Sequence, residues 1–180
     1  MHRLTLKAAV SALLLLSGAA SAAAQVDTGS ANFSRYVAIG DSLTAAFMSG
    51  GLVRDVQLNS YPALIWRQVT GTATGFEQPL VSQPGIPPLL TLRGLFPTVI
   101  TPKSNTPGNP LNLNLPRPYN NLGVPGADAQ DVVATVTGGL HDLVLRGQGT
   151  QLQQALALRP TFVTVWVGNN DVLGGRPPGG

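Results

Sequence analysis

The stretch Arg35-Tyr-Val-Ala-Ile-Gly-Asp-Ser-Leu-Thr44 constrains this chain more than any other. Tyr36 to Ile39 is a short apolar run with β-branched members, the pattern of a buried strand. It stops at Gly40, and Asp41-Ser42 then open a segment with helical character through Ala45, Ala46, Phe47 and Met48. A serine on a tight strand-to-helix turn can point its hydroxyl outward at the carboxyl edge of a parallel sheet. The helix N-terminus there also favours negative charge, which a nucleophilic serine needs. Asp and Ser are equally the residues of an ordinary helix N-cap, so this turn alone does not decide between the two.

Two later segments bear on that choice. Tyr119-Asn-Asn-Leu-Gly-Val-Pro-Gly-Ala-Asp128 and Val165-Trp-Val-Gly-Asn-Asn-Asp-Val172 each join an apolar stretch to a turn of Gly, Asn and Asp, with a possible helix beyond. Three polar turns at strand ends are what an α/β fold with a site at its sheet edge would show.

Together these segments resemble the SGNH (GDSL) hydrolase family of serine esterases and lipases, over about residues 35–175. Gly40-Asp41-Ser42-Leu43 resembles the family's first block, with Ser42 at the nucleophile position. Asn121-Leu-Gly-Val-Pro-Gly126 resembles the second, with Gly126 at the glycine whose backbone N–H faces the oxyanion. Gly168-Asn169-Asn170-Asp171 resembles the third, Gly-x-Asn-Asp, with Asn170 at the side-chain oxyanion donor. The resemblance implies a three-layer α/β/α, flavodoxin-like fold with a parallel sheet, strands falling near Tyr36–Ile39, Tyr119–Leu122 and Thr161–Val167. It implies hydrolysis of carboxylic esters, small-molecule or lipid, with no cofactor and no metal. Ser42, Gly126 and Asn170 are then expected to converge on one cleft. Asp41 is expected to cap or orient the nucleophile turn, and Gly168 and Asp171 to support the third.

The chemistry is incomplete as read. An attacking hydroxyl needs a base for its proton. The family places an Asp-x-x-His element near its C-terminus, and none follows the third block in these 180 residues. Of the two histidines, His2 lies in the N-terminal segment, and His141 has Gly138 rather than Asp three positions earlier. His141 with Asp142 reads as the polar surface of a helix. The expectation is therefore a truncated, catalytically weak hydrolase whose C-terminal strands are missing. A complete, non-catalytic secreted relative that binds a ligand or glycan is the alternative.

The 180 residues make one domain's worth of chain. With no cysteine, there is no disulfide framework and no thiolate metal site. Arg3 and Lys7 precede the apolar run Ala8–Leu16 and an alanine-rich exit with small-x-small cleavage positions. This is the pattern of a signal peptide over 1–24, and it places the protein in the periplasm or outside the cell with no stable membrane span. Its removal leaves nine basic against eight acidic residues, a net +1. With no basic cluster, nothing supports a nucleic-acid partner. The sequence does not speak to oligomeric state.

Residues 25–34 are small and polar, suited to a linker. Ser60 to Val69 reads as a helix with Pro62 in its first turn, Gly71 beyond its end and Trp66 facing inward. Ten of the fifteen prolines fall between Pro79 and Pro118, which denies regular helix and central strand there. The apolar content of that segment is too high for a solvated linker, so it reads as an ordered, irregular insertion packed on the domain, as a pocket wall or as an ornament. Asp128–Thr137, Leu140–Leu145 and Gln151–Leu158 are further helix candidates. Residues 176–180 read as an irregular tail.

Overall fold

A computed structural model describes residues 26–174; the expected signal peptide and the terminal tail lie outside the described residues. The apolar run at Tyr36–Gly40 forms β1, every residue of it buried. It pairs in parallel with β4, Phe162–Trp166, in a register that sets Tyr36 against Phe162 and Gly40 against Trp166. On its other side the segment around Asn121 runs parallel to β1. The Ala38 N–H donates to the Asn120 carbonyl (2.8 Å), and the Leu122 and Val124 N–H groups donate to the Ala38 and Gly40 carbonyls (2.9 and 3.0 Å).

The expected strand at Tyr119–Leu122 is therefore present as a bridge rather than as a regular strand. Side chains take over part of the ladder there. Asn120 Nδ2 donates to the Tyr36 carbonyl (2.9 Å), and Asn120 Oδ1 accepts from the Glu77 N–H (3.0 Å).

Successive residues of β1 face opposite ways, as the strand period requires. Val37 and Ile39 pack with Tyr119, Leu122, Val132 and Ala155, whereas Tyr36 and Ala38 pack with Ala63 and Phe76. Val132 belongs to α4 (Asp131–Ala134) and Ala155 to α6 (Gln151–Ala157), while Ala63 belongs to α3 (Tyr61–Thr70). The chain is thus an α/β protein with a small parallel sheet. Among the described residues β4 pairs with β1 alone, and Val163, Val165 and Trp166 are exposed.

Capping chemistry sets the helix limits. Ser60 accepts the Ala63 N–H to start α3, and Gly71 at φ +73° ends it. Trp66 lies against the Tyr36 cluster and donates its indole N–H to the Thr74 carbonyl (2.8 Å). Thr150 and Gln153 form a reciprocal capping box on α6. The helix expected to run on to Met48 is instead one turn, α1 (Ser42–Ala45), because Ala46 adopts a left-handed φ of +57° and turns the chain out. A second single turn, α2, spans Arg54–Gln57, and α5 spans Leu140–Leu145.

The proline-rich insertion contains regular structure that its composition conceals. β2 (Leu90–Leu95) and β3 (Thr98–Pro102) form an antiparallel hairpin. Pro97 sits in its turn and Pro102 at the ladder's end, positions that need no donated N–H from inside the ladder. The end of the insertion is held by Arg146. Its guanidinium donates to the carbonyls of Leu113, Leu115 and Arg117 (3.0, 2.6 and 2.6 Å) and lies 4.1 Å over the Tyr119 ring.

Burial of Tyr36 gives a prediction for alkaline pH. Burial raises its phenol to about 12, against the opposing effect of the 2.9 Å hydrogen bond to Thr164; burial also raises Tyr119. The unfolded chain ionises a tyrosine near 10 while the folded chain keeps Tyr36 protonated. Stability contributed by the neutral phenol is thus intact below about pH 10 and lost as pH rises towards 12, on the order of 2 kcal/mol in all. Urea midpoints measured from pH 9 to 12 should fall across that window, and Tyr36→Phe should flatten the fall.

Candidate functional site

Gly40 ends β1, and Asp41 follows it as the N-cap of α1. The Asp41 carboxylate is fully buried and both its oxygens are engaged. Oδ1 accepts the Leu43 N–H (2.9 Å), and Oδ2 accepts Asn169 Nδ2 (2.8 Å). Asp41 therefore fixes the turn that carries Ser42. Ser42 is the first residue of α1 and is half-buried, and its hydroxyl makes no hydrogen bond among the described residues.

The turn after Asn121 is bound to the same place. Asn121, also buried, donates through Nδ2 to the Thr44 carbonyl in α1 (2.8 Å) and to Gln78 Oε1 (3.1 Å), while its Oδ1 accepts the Gly123 N–H (3.0 Å). Gly123 leaves no space for a side chain, since an added Cβ would lie 2.6 Å from the Ala45 nitrogen. Three residues on, Gly126 is exposed at φ +89° with open space where a Cβ would stand. The left-handed conformation, not crowding, favours glycine there.

The third turn closes the set. Gly168, at φ +105°, is the N-cap of α7 (Asn169–Leu173). Asn170 Nδ2 donates to the Ala127 carbonyl (2.8 Å), beside Gly126. An amide nitrogen carries two hydrogens, so a second donor remains on Asn170. The Asp171 carboxylate accepts the Ala129 N–H at 3.0 and 3.3 Å.

The three turns are therefore bonded pairwise: first to third through Asp41 and Asn169, first to second through Thr44 and Asn121, second to third through Ala127 and Asn170. All lie at the carboxyl ends of β1 and of its two neighbours, β4 on one side and the Asn121 segment on the other. Asn121 and Asn169 had no role in the reading from sequence, although both stand inside the motif segments. The signal for them was the density of Asn in those turns.

His141 stands on α5, whose Leu140 and Leu143 pack with Ala45 and Phe47. Its Nδ1 meets the Gly138 carbonyl at 3.2 Å, and its Nε2 is buried without a hydrogen-bond partner. Among the described residues no group of three or more His, Asp or Glu is placed to hold a metal ion, and no helix is long and apolar enough to cross a membrane.

In this α/β chain a parallel strand thus ends in a capped serine turn, braced by two asparagine-rich turns. The chain belongs to the GDSL-like lipase/acylhydrolase family, whose profile matches residues 36–179. No curated protein matches the chain, and no solved structure does. The family is one of esterase- and lipase-type hydrolases; membership suggests ester hydrolase activity and implies small-molecule ester substrates.

Proposed function

We propose that the protein is an exported serine ester hydrolase that cleaves carboxylic esters through an acyl-Ser42 intermediate. The observation that carries this reading is the pairwise bonding of the three motif turns, which gathers a hydroxyl and several N–H donors at one sheet edge. In this reaction Ser42 Oγ attacks the ester carbonyl as its proton passes to a base. The oxyanion takes hydrogen bonds from the Ser42 and Gly126 N–H groups and from the free hydrogen on Asn170 Nδ2. Collapse expels the alcohol, which takes up the proton, and water then releases the acid and restores Ser42. The opposite-facing clusters on β1 support a three-layer α/β/α arrangement, and the charged, apolar and alanine-rich N-terminus supports export.

The base is the weak part. Neither histidine stands in an Asp-x-x-His, and His141 Nδ1 is turned to the backbone of its own helix start. This favours slow chemistry, and it keeps open a second reading in which the cleft binds a ligand or glycan without turning it over.

Trapping separates the two readings. On incubation with an activated acetyl ester, mass spectrometry of the digested chain should find the acetyl group on the peptide containing Ser42, and Ser42→Ala should lose it. Slow deacylation helps, because the adduct accumulates. An unmodified Ser42 after long incubation would favour the binding reading.

A further inference from the structure

The β2–β3 hairpin is amphipathic in the reverse sense to a domain surface. Residues opposite each other in an antiparallel ladder share a face, so Leu90 and Leu92 share one with Pro102 and Ile100. Without interruption, Gly94 would come next on that face and Leu95 would point away. The register shift between Leu92 and Gly94 makes Arg93 the extra residue and pairs Leu95 with Thr98. Since Thr98, Ile100 and Pro102 alternate onto one face, the bulge returns Leu95 to the face of Leu90 and Leu92. That face is the exposed one. Leu90, Leu92, Leu95 and Ile100 are 44, 53, 64 and 59% exposed, while on the other face Thr91 and Thr101 are half-buried and Val99 is 40% exposed. Phe96 in the turn is 97% exposed.

The ribbon is rooted firmly. The Leu90 N–H donates to the Ser49 carbonyl and the Lys103 N–H to the Leu89 carbonyl, both at 2.7 Å. Ser49 lies in the loop that follows α1, seven residues beyond Ser42. Charge on the ribbon has one sign. Residues 78–127 contain no Asp or Glu, whereas Arg93 stands exposed on the ribbon and Lys103 stands exposed just past its base. An apolar tip flanked by cations fits a lipid–water interface with anionic headgroups. A twofold copy of the same ribbon would instead set these cations against each other with no acidic partner in the insertion.

We propose that the β2–β3 hairpin is a membrane-docking wedge, which inserts Phe96, Leu95, Leu92 and Ile100 into an anionic lipid surface while Arg93 and Lys103 meet the headgroups. Docking would hold the Ser49 loop, and with it α1, beside the lipid. The inference stands on the hairpin alone and does not require that Ser42 be catalytic.

The absence of cysteine makes a single-site test clean. Thr98→Cys, beside the turn, is labelled in the full chain with a polarity-sensitive fluorophore; Thr72→Cys, beyond the end of α3, serves as the control. With phosphatidylcholine vesicles containing phosphatidylglycerol, emission at position 98 should brighten severalfold and shift to shorter wavelength, while position 72 stays unchanged. This local readout separates the hairpin from any binding by the apolar N-terminal segment. Adding Leu95→Ser and Phe96→Ser should raise the lipid needed for half the change by about tenfold or more. Arg93→Ser with Lys103→Ser should remove the preference for anionic over pure phosphatidylcholine vesicles. An unchanged label at 98 on chain that co-sediments with vesicles would overturn the proposal. So would a lipid-independent change that grows with protein concentration and tracks a dimer in sedimentation, because the occupant would then be a second copy.

Discussion

A short-chain activated ester is expected to turn over on the 180-residue chain about a thousandfold or more below the rate of a serine hydrolase with its base in place. Ser42→Ala should lower that residual rate further, towards the level that oxyanion donors alone sustain. On the proposed reading the turn that carries Ser42 is held in place, since both Asp41 oxygens are committed to Leu43 and Asn169. On that reading the rate is limited by proton removal. Asp41 is buried with both oxygens hydrogen-bonded, Asp171 is bound to the Ala129 N–H, and His141 Nδ1 meets a backbone carbonyl. Oxyanion stabilisation alone still supports some catalysis in serine hydrolases generally. The assay is release of p-nitrophenol from its acetate, compared between the parent chain, Ser42→Ala and His141→Ala. Robust turnover lost in Ser42→Ala would overturn the weak-base reading, and parallel loss in His141→Ala would make the buried Nε2 of His141 the base. Turnover unchanged by Ser42→Ala would remove Ser42 from the chemistry altogether.

The sequence made some of this legible because local chemistry decided it. Ser60, Pro62 and Gly71 delimit α3 by capping and backbone preference, so its limits were readable to within a residue. The helix candidate at Leu140–Leu145 has the limits expected of it. The run at Tyr36 was readable because β1 is buried on both faces and so needs no alternation. Local rules failed where one residue's conformation or a distant partner intervened. Ala46 has no sequence feature that forces a left-handed φ, yet it cuts α1 to a single turn. The hairpin was hidden because its prolines sit at the turn and the ladder's end, and the β-branched Thr98-Val-Ile-Thr101 was the signal outweighed by them. At the candidate site the three turns could be found, since each is a local signature. The bonds that join them could not. Asn169 and Asp41 are 128 residues apart, and Asn121 and Thr44 are 77 apart, so only the folded chain shows that they meet.

Gly40→Ala should be among the most damaging single substitutions in the described fold, and Gly126→Ala among the mildest at a motif glycine. Gly40 is not needed for a left-handed backbone. It is needed because Thr44 and the Trp166 carbonyl crowd the position: an added Cβ would lie 2.7 Å from each of Thr44 Cβ and the Trp166 oxygen, and closer still to Thr44 Oγ1. Thr44 cannot simply turn aside, being fully buried with its hydroxyl 3.2 Å from that of Tyr61. The Trp166 carbonyl is backbone and accepts the Asp41 N–H (3.2 Å), so relief of the clash would part β4 from the turn that carries Ser42. Overpacking of this kind costs about 3 kcal/mol. For a chain of this size that lowers the melting temperature by roughly 10 °C. Gly126→Ala meets nothing within 4 Å and carries only the left-handed strain of φ +89°, about 1 kcal/mol. Thermal melts followed by circular dichroism compare the two directly. Adding Thr44→Ala to Gly40→Ala should recover only part of the loss, because the Trp166 carbonyl remains. Equal melting of Gly40→Ala and the parent chain would mean that the β1–β4 junction yields, and the rigid turn invoked for Ser42 would fail with it.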